Sequence, residues 1–368
     1  MRIAMLGHKR IPSREGGVEV VVEELSVRMA AQGHEITCFN RSGHHVSGKE
    51  FDAVPVKEYK GVKLKIVPAI HVKGLAAMTA SFFASVRVCF GSFDAVHFHT
   101  EGPCATLWIP KLFKKRCIAT VHGLDHRRSK WGKFAKAYIL LGEKCAARFA
   151  DEIIVLSKGV QDYFKETYGR ETRLIPNGVT PAETVPADLI RNYGLSGEDY
   201  FLYLGRITPE KGIHTLIEAY QGLKTRKKLV IAGGASDSEG YFQSLKQMAA
   251  GNENIIFTGF VQGKLLSELY SSAYTYVLPS EIEGMPLSLL EAMSYGNRCI
   301  TSDIPESTDV TGEMGTCFKS GDPLDLQKKL AECENIPAKH SRQEIADYIC
   351  AKYNWDDVTR QTLMVYAE

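Results

Sequence analysis

Apolar residues in this chain fall into two alternating series of short runs and longer periodic stretches. The first series opens with a run at residues 3–7, then a stretch in which Val18, Val21, Val22, Leu25 and Met29 recur at helical spacing up to Gly33. Further runs lie at 35–40, 61–68, 93–99, 117–123, 152–157 and 173–176, with a periodic stretch at 74–90. Short apolar runs closed by glycine, proline or polar clusters predict strands, and apolar positions three and four apart predict helices. Asn177-Gly178-Val179-Thr180-Pro181 is turn chemistry, and residues up to 186 read as a linker.

A second series follows. Strands are predicted at 200–204, 228–232, 255–258, 274–279 and 298–302. They alternate with helices at 212–222, 240–250, 264–271, 323–332 and one that starts at Pro286. Residues 342–368 read as two helices around Tyr353-Asn354-Trp355. Such alternation predicts right-handed βαβ units on mostly parallel sheets, and 368 residues suffice for two cores. The expected fold is α/β, with two Rossmann-like parallel-sheet lobes facing a central cleft. Ligands of open parallel sheets sit outside the carboxyl ends of strands, so the cleft is the expected site.

Composition narrows the class. With 44% hydrophobic and 24% charged residues, the chain is that of an ordinary globular protein, not a disordered one. Its net charge of +2 hides an asymmetry: residues 1–180 carry 28 Lys and Arg against 17 Asp and Glu, and the remainder carries 17 against 26. The basic half is therefore expected to meet an anionic partner. Nucleic acid is disfavoured, because no recognised binding module is present. Nine scattered cysteines without a C-x-x-C pair predict free thiols in a reducing cytoplasm. The stretch at 74–90 is interrupted by Thr79, Ser81, Ser85 and Arg87 and falls short of a membrane span, and residues 1–7 are too short a run for a signal peptide. The expected location is cytoplasmic, at most peripheral to a membrane.

Candidate chemistry centres on residues 280–293. Glu283 falls in a strand-to-helix loop, and Glu291 lies further along the helix that follows. Between them the helix start offers unbonded N–H groups, a seat for phosphate. A carboxylate on either side of an anion seat suits a sugar nucleotide, although glutamates at helix starts also serve simply to complement the dipole. Gly205-Arg206 and Glu210-Lys211-Gly212 bring two cations to another strand–helix junction; a lysine at a helix start opposes the dipole unless an anion offsets it. Gly233-Gly234 leaves a strand end bare for a ligand, or makes an ordinary turn. In the first half, Gly16-Gly17 open a helix where amides can reach an anion, without the G-x-G-x-x-G of nicotinamide enzymes. His122, beside Gly123 at a strand end, is either structural or chemical.

Together, the Glu283-to-Glu291 spacing, Gly205-Arg206 with Glu210-Lys211-Gly212, Gly16-Gly17, Val121-His122-Gly123 and Pro176-Asn177-Gly178-Val179 resemble the retaining glycosyltransferases of family 4, which have the GT-B fold. The loop at 12–19 is similar to bacterial polysaccharide transferases that include rhamnosyltransferases. The resemblance implies an acceptor-side domain at 1–180, a nucleotide-sugar domain at 181–350, and a terminal helix at 351–368 that crosses back to the first. It implies that Arg206 and Lys211 stabilise the leaving diphosphate, Glu283 orients the transferred sugar, Glu291 holds the ribose and His122 faces the reacting carbon. Gly16, Gly17, Gly205, Gly234, Met285 and Leu287 would line the donor. Proline at 286 departs from the Phe-Gly common in the family and offers no N–H, so phosphate contact must come from Leu287 or Ser288. The donor expected is a UDP- or dTDP-sugar, dTDP-rhamnose among them, and the acceptor a lipid-linked glycan.

No Asp-x-Asp triplet occurs, so no metal and no other cofactor is expected. His97, His99 and His122 lack a further carboxylate or cysteine that would make them a metal site. Residues 111–136 carry nine cations against Asp125, with Trp131 and Phe134 interleaved. They form either a solvated face or a surface for anionic lipid or an acceptor's pyrophosphate, with His99, Asp125, Arg127, Arg128, Lys130 and Trp131 on the acceptor or membrane side. Two rival functions remain: a nucleotide-sugar 2-epimerase, which turns over donor alone, and a non-catalytic nucleotide-sugar-binding subunit.

Overall fold

The structure, a computed structural model, describes all residues except 46, 53, 55, 73, 129, 130, 236 and 237, and only the backbone of Glu50. The chain divides into two compact units, Met1–Asn177 with Trp355–Glu368, and Gly178–Asn354.

The first unit runs β1 (Arg2–Leu6), α1 (Gly17–Ala31), β2 (Glu35–Arg41), β3 (Glu58–Tyr59), β4 (Val62–Val67), α2 (Leu75–Cys89), β5 (Ala95–His99), α3 (Glu101–Cys104), α4 (Trp108–Leu112), β6 (Arg116–Val121), α5 (Lys133–Phe149), β7 (Glu152–Val155), α6 (Lys158–Tyr168) and β8 (Arg173–Leu174). The strands form one sheet in the order β3-β4-β2-β1-β5-β6-β7-β8, parallel apart from the β3–β4 hairpin. From β1 the chain builds outward to β2 and β4, then returns to build the other way from β5. The carboxyl ends of β1 and β5 therefore flank a switch point, where such sheets bind ligands. Strand β5 and most of β1, β6 and β7 are buried, which is why they read as mostly apolar runs.

The second unit runs β9 (Tyr200–Leu204), α7 (Ile213–Gln221), β10 (Lys228–Ala232), α8 (Glu239–Met248), β11 (Ile255–Gly259), α9 (Gly263–Ser272), β12 (Thr275–Leu278), α10 (Leu287–Ser294), β13 (Cys299–Ser302), α11 (Pro305–Thr311), β14 (Thr316–Phe318), α12 (Pro323–Asn335) and α13 (Arg342–Lys352). Its all-parallel sheet has the order β11-β10-β9-β12-β13-β14, so its own switch point lies between β9 and β12. Tyr200, Tyr203, Tyr270 and Tyr276 are among its largest buried side chains.

The final helix, α14 (Trp355–Ala367), packs with α1 in the first unit. There the Tyr366 hydroxyl meets His97 Nδ1 at 2.6 Å, and Arg116 donates to the Val365 carbonyl at 2.7 Å.

Several expectations are corrected. Pro286 is the N-cap of α10 and not its first helical residue. Helices α3 and α4 occupy a stretch to which the pattern assigns no element; Pro103 and Pro110 fall in their first turns, where a missing N–H costs nothing. The β3–β4 hairpin escaped notice because its strands are so short, although Lys60 and Gly61 both take the positive φ of a tight hairpin turn. The basic tract at 111–136 is no single loop. It threads the end of α4, all of β6, a 3₁₀ turn at Asp125–Arg127 and the start of α5.

Candidate active site

In the second unit, the loops that follow β9 and β12 leave adjacent strand ends at the switch point. The first loop is stitched to the end of β10: the Gly205 amide donates to the Ala232 carbonyl and the Ile207 amide to the Gly234 carbonyl, both at 3.0 Å. This approach requires Gly233, which has φ +148° and whose added Cβ would lie 1.8 Å from the Gly205 carbonyl oxygen. Gly212 plays the same part toward β12, with φ +63° and a Cβ that would meet the Pro279 carbonyl oxygen at 2.1 Å. The Glu281 amide completes the link by donating to the Glu210 carbonyl at 2.9 Å.

This geometry sets Lys211 Nζ 2.5 Å from Glu283 Oε1, with side chains only 13% and 7% exposed. Arg206 is half-buried on the same loop; its carbonyl accepts from the Tyr203 hydroxyl at 2.8 Å, and its guanidinium joins no hydrogen bond or ion pair among the described residues. In α10 the first amides to bond are those of Leu289 and Leu290, to the Pro286 carbonyl at 3.1 and 3.2 Å. Those of Leu287 and Ser288 precede them as helix-end donors. Half-buried Glu291 accepts from the Tyr270 hydroxyl at 3.3 Å, and Tyr270 stacks on Tyr295 at 5.3 Å. Met285 packs on the core of this unit, and Gly234 ends the β10 junction. Two cations, two carboxylates and a helix start thus share one set of strand ends. The tyrosine that holds Glu291 was missed, because an aromatic residue in α9 reads simply as core.

In the first unit, Gly16 is the N-cap of α1, and an added Cβ would lie 2.8 Å from Glu19 Oε2. The glycine makes room for buried Glu19, whose other oxygen accepts from the Lys9 amide at 2.9 Å. Buried Glu15 lies between Lys9 at 3.3 Å and Arg10 at 3.2 Å, so carboxylates tie down the loop on both sides of Gly16 and Gly17.

Strands β5 and β6 pair in register, His99 opposite Thr120, which brings His99 Nδ1 3.1 Å from His122 Nε2. His97 meets Thr120 Oγ1 at 2.6 Å through Nε2. Burial lowers all three histidines, His97 to about 3 and His122 to about 4. The rings are therefore neutral at pH 7, and in the His99–His122 contact one nitrogen donates and the other accepts.

A stability effect follows. A histidine held neutral by the fold binds fewer protons than it does unfolded, so stability falls as pH drops from 6.5 towards the folded value. For fully buried His97 the loss at pH 5 is about 2 kcal/mol relative to pH 7. Urea unfolding at both pH values is expected to show a smaller difference for His97→Gln than for the parent; equal differences would exclude His97 as the source.

The residues expected on the acceptor side are held within their own unit. Arg128 Nε pairs with Asp125 Oδ1 at 3.1 Å, and the Arg127 guanidinium lies over the Tyr163 ring at 5.2 Å. Trp131 is half-buried ahead of α5, and Lys130 lies outside the described residues. Elsewhere in the basic tract, Lys111 pairs with Asp151 at 2.8 Å and Lys115 donates to the Gly91 carbonyl at 2.7 Å. Much of the tract's charge is thus spent on internal contacts.

The family model for "Glycosyltransferase Family 4" matches residues 15–183, and that for "Glycosyl transferases group 1" matches residues 188–349. Among curated proteins, O-antigen chain mannosyltransferase B of Escherichia coli is 30% identical over 195 residues, a match that spans 51% of this chain and half of that protein. O-antigen chain mannosyltransferase RfbU of Salmonella typhimurium is 28% identical over 69% of this chain and 70% of its own. Among solved structures, Anabaena HepE in complex with UDP and glucose superposes with a TM-score of 0.81 at 17% identity, covering 100% of this chain and 99% of that one. At that identity the likeness speaks for the fold, which is GT-B.

Proposed function

We propose a reaction for this chain, which belongs to glycosyltransferase family 4: transfer of a sugar from a UDP- or dTDP-sugar to a lipid-linked glycan, with retained configuration and without a metal. The observation that carries the reading is the convergence of Arg206, the Lys211–Glu283 pair, the start of α10 and Glu291 at one switch point. The names of the O-antigen mannosyltransferases support a place in surface polysaccharide synthesis, and the UDP complex of HepE supports a nucleotide sugar as donor.

In this reading the donor's diphosphate lies against Arg206, Lys211 and the amides of Leu287 and Ser288, with Glu291 on the ribose. The bond from the anomeric carbon to the phosphate oxygen breaks, its electron pair leaves with the diphosphate, and the cations and helix start stabilise that charge. Glu283 orients the hydroxyls of the oxocarbenium-like sugar, and His122, neutral at working pH, serves as a hydrogen-bond partner near the reacting carbon. The acceptor hydroxyl attacks from the face the diphosphate leaves, and its proton passes to a diphosphate oxygen. Lys211 divides its charge between Glu283 and the diphosphate, so donor binding loosens the pair that orders the empty loop.

Melting the chain with UDP-, GDP-, ADP- and dTDP-sugars tests the donor side. A ligand that binds only the folded state raises Tm. One nucleotide is expected to raise it selectively, and Glu291→Ala to abolish most of the rise; no response to any of them would sink the reading.

The membrane side of the proposal rests on an aromatic surface of the first unit. The outer face of α2 exposes Leu75, Phe82 and Phe83, with Phe90 exposed at its C-cap, and α4 exposes Trp108 and Leu112, with the Phe90 and Phe113 rings 5.9 Å apart. Arg87 and Lys114 are exposed beside them. Aromatic side chains with flanking cations suit the interface of an anionic bilayer. No helix among the described residues is long and apolar enough to cross a membrane. Co-sedimentation with phosphatidylglycerol vesicles is expected for the parent and lost in the Phe82→Asp/Phe83→Asp double variant; equal binding by both would remove this face from the proposal.

A further inference from the structure

A second group of side chains converges in the first unit, apart from the residues assigned to transfer. Glu101 opens α3, Glu143 lies midway along α5, and His126 sits in the 3₁₀ turn between β6 and α5. Both glutamates are fully buried. They meet because α5 is pressed against α3 at Gly142, where an added Cβ would lie 2.0 Å from the Glu101 carbonyl oxygen.

Each carboxylate is satisfied on one side only. Glu101 Oε2 accepts from the Asp125 amide at 2.7 Å, and Glu143 Oε1 accepts from the hydroxyls of Tyr163, at 2.8 Å, and Tyr168. The other oxygens, Glu101 Oε1 and Glu143 Oε2, are buried and have no hydrogen-bond partner among the described residues, and the same holds for His126 Nδ1. These three atoms face one another: His126 Nδ1 is 3.1 Å from Glu143 Oε2 and 3.9 Å from Glu101 Oε1. All three lie within 4.8 Å of one another. Among the described residues, no lysine or arginine pairs with either glutamate.

Two carboxylates taken out of water cost several kcal/mol each unless something neutralises them. A single imidazole beside them offsets one charge at most. We propose that Glu101, Glu143 and His126 bind one divalent first-row cation, of the zinc or manganese class. The donor set of one imidazole nitrogen and two carboxylate oxygens suits such an ion, and two carboxylates balance its charge. The 3.1 and 3.9 Å from His126 Nδ1 to the two oxygens are separations that ligands about 2.0–2.2 Å from a common centre can have. Asp125, Tyr163 and Tyr168 act as the outer hydrogen-bond partners that orient metal-bound carboxylates.

Burial first, and then the neighbouring Glu143 and Asp125, hold the Glu101 carboxyl well above the usual carboxylate range. The ion is structural: it fastens the turn at Asp125–Arg127 to α3 and α5. It is separate from the transfer step and does not depend on the proposed reaction.

The test uses the full chain, stripped with chelator and dialysed, then titrated with Zn²⁺ or Mn²⁺ alone. Calorimetry and Mn²⁺ electron paramagnetic resonance are expected to give one site per chain, with a rise in Tm. His126→Ala and Glu101→Gln should each abolish the site. Glu143→Asp, which keeps the charge, should weaken it about 10- to 100-fold, and this keeps the test decisive if the other variants fold poorly. A parent Tm unmoved by either ion overturns the proposal in favour of a shared proton. Undiminished stoichiometry and affinity in the folded variants overturns it in favour of an adventitious ion.

Discussion

Replacing Arg206 with alanine is expected to lower kcat/KM for sugar transfer about 100- to 1,000-fold, the usual cost of removing one preorganised donor from a developing anion. The melting temperature should stay within about 2 °C of the parent. The asymmetry comes from the site: the loop is held through the Arg206 backbone carbonyl, and no ion pair among the described residues depends on the guanidinium. Arg206→Lys should recover only part of the activity, since an ammonium lacks the planar fork that grips two phosphate oxygens. Lys211→Ala should behave differently. It takes the cation from a Glu283 side chain that is 7% exposed, so stability should fall together with rate. Steady-state kinetics and melting curves on the three variants separate these cases. An Arg206→Ala enzyme within threefold of the parent would remove Arg206 from the chemistry.

Gly233→Ala is expected to be the most damaging single-methyl change in the second unit, costing about 4 kcal/mol or more. Two penalties coincide there. The backbone is at φ +148°, and the new carbon would lie 1.8 Å from the Gly205 carbonyl oxygen. Relief requires the β9 loop to move away from β10, and that loop carries Arg206. Gly251→Ala is the matched control: φ is +83°, but nothing lies within 4 Å of the added carbon. Its cost should be about 1 kcal/mol. Urea unfolding compares the pair, and equal losses would show that close packing at Gly233 is not what demands glycine.

The sequence reveals strands best where both faces are buried. Runs such as those of β7, β9 and β12 are mostly apolar and stand out against the helices between them. Elements that break this contrast stayed hidden, notably α3 and α4 with their prolines and the two-residue β3. At the site, the carboxylate and cation motifs could be assigned to strand ends, and strand order then made those ends neighbours. Side-chain partners were beyond reach. Nothing in the sequence pairs Tyr270 with Glu291, sets His99 beside His122, or turns Arg127 onto Tyr163. Nothing in the sequence singles out Glu101 and Glu143 either, because the packing at Gly142 that brings them together is a tertiary event.

The first unit is written in two pieces, since the chain leaves it after Asn177 and returns only at Trp355. During synthesis, therefore, the second unit has all of its residues before the first has its last helix. Until α14 arrives, α1 lacks the helix it packs against, and His97 lacks the hydroxyl of Tyr366. A nascent chain that ends before Trp355 carries one finished unit and one with an uncovered apolar face, which is the species a chaperone would hold. Arrival of α14 is thus the event that covers this face, and it requires Tyr366 to dock on His97.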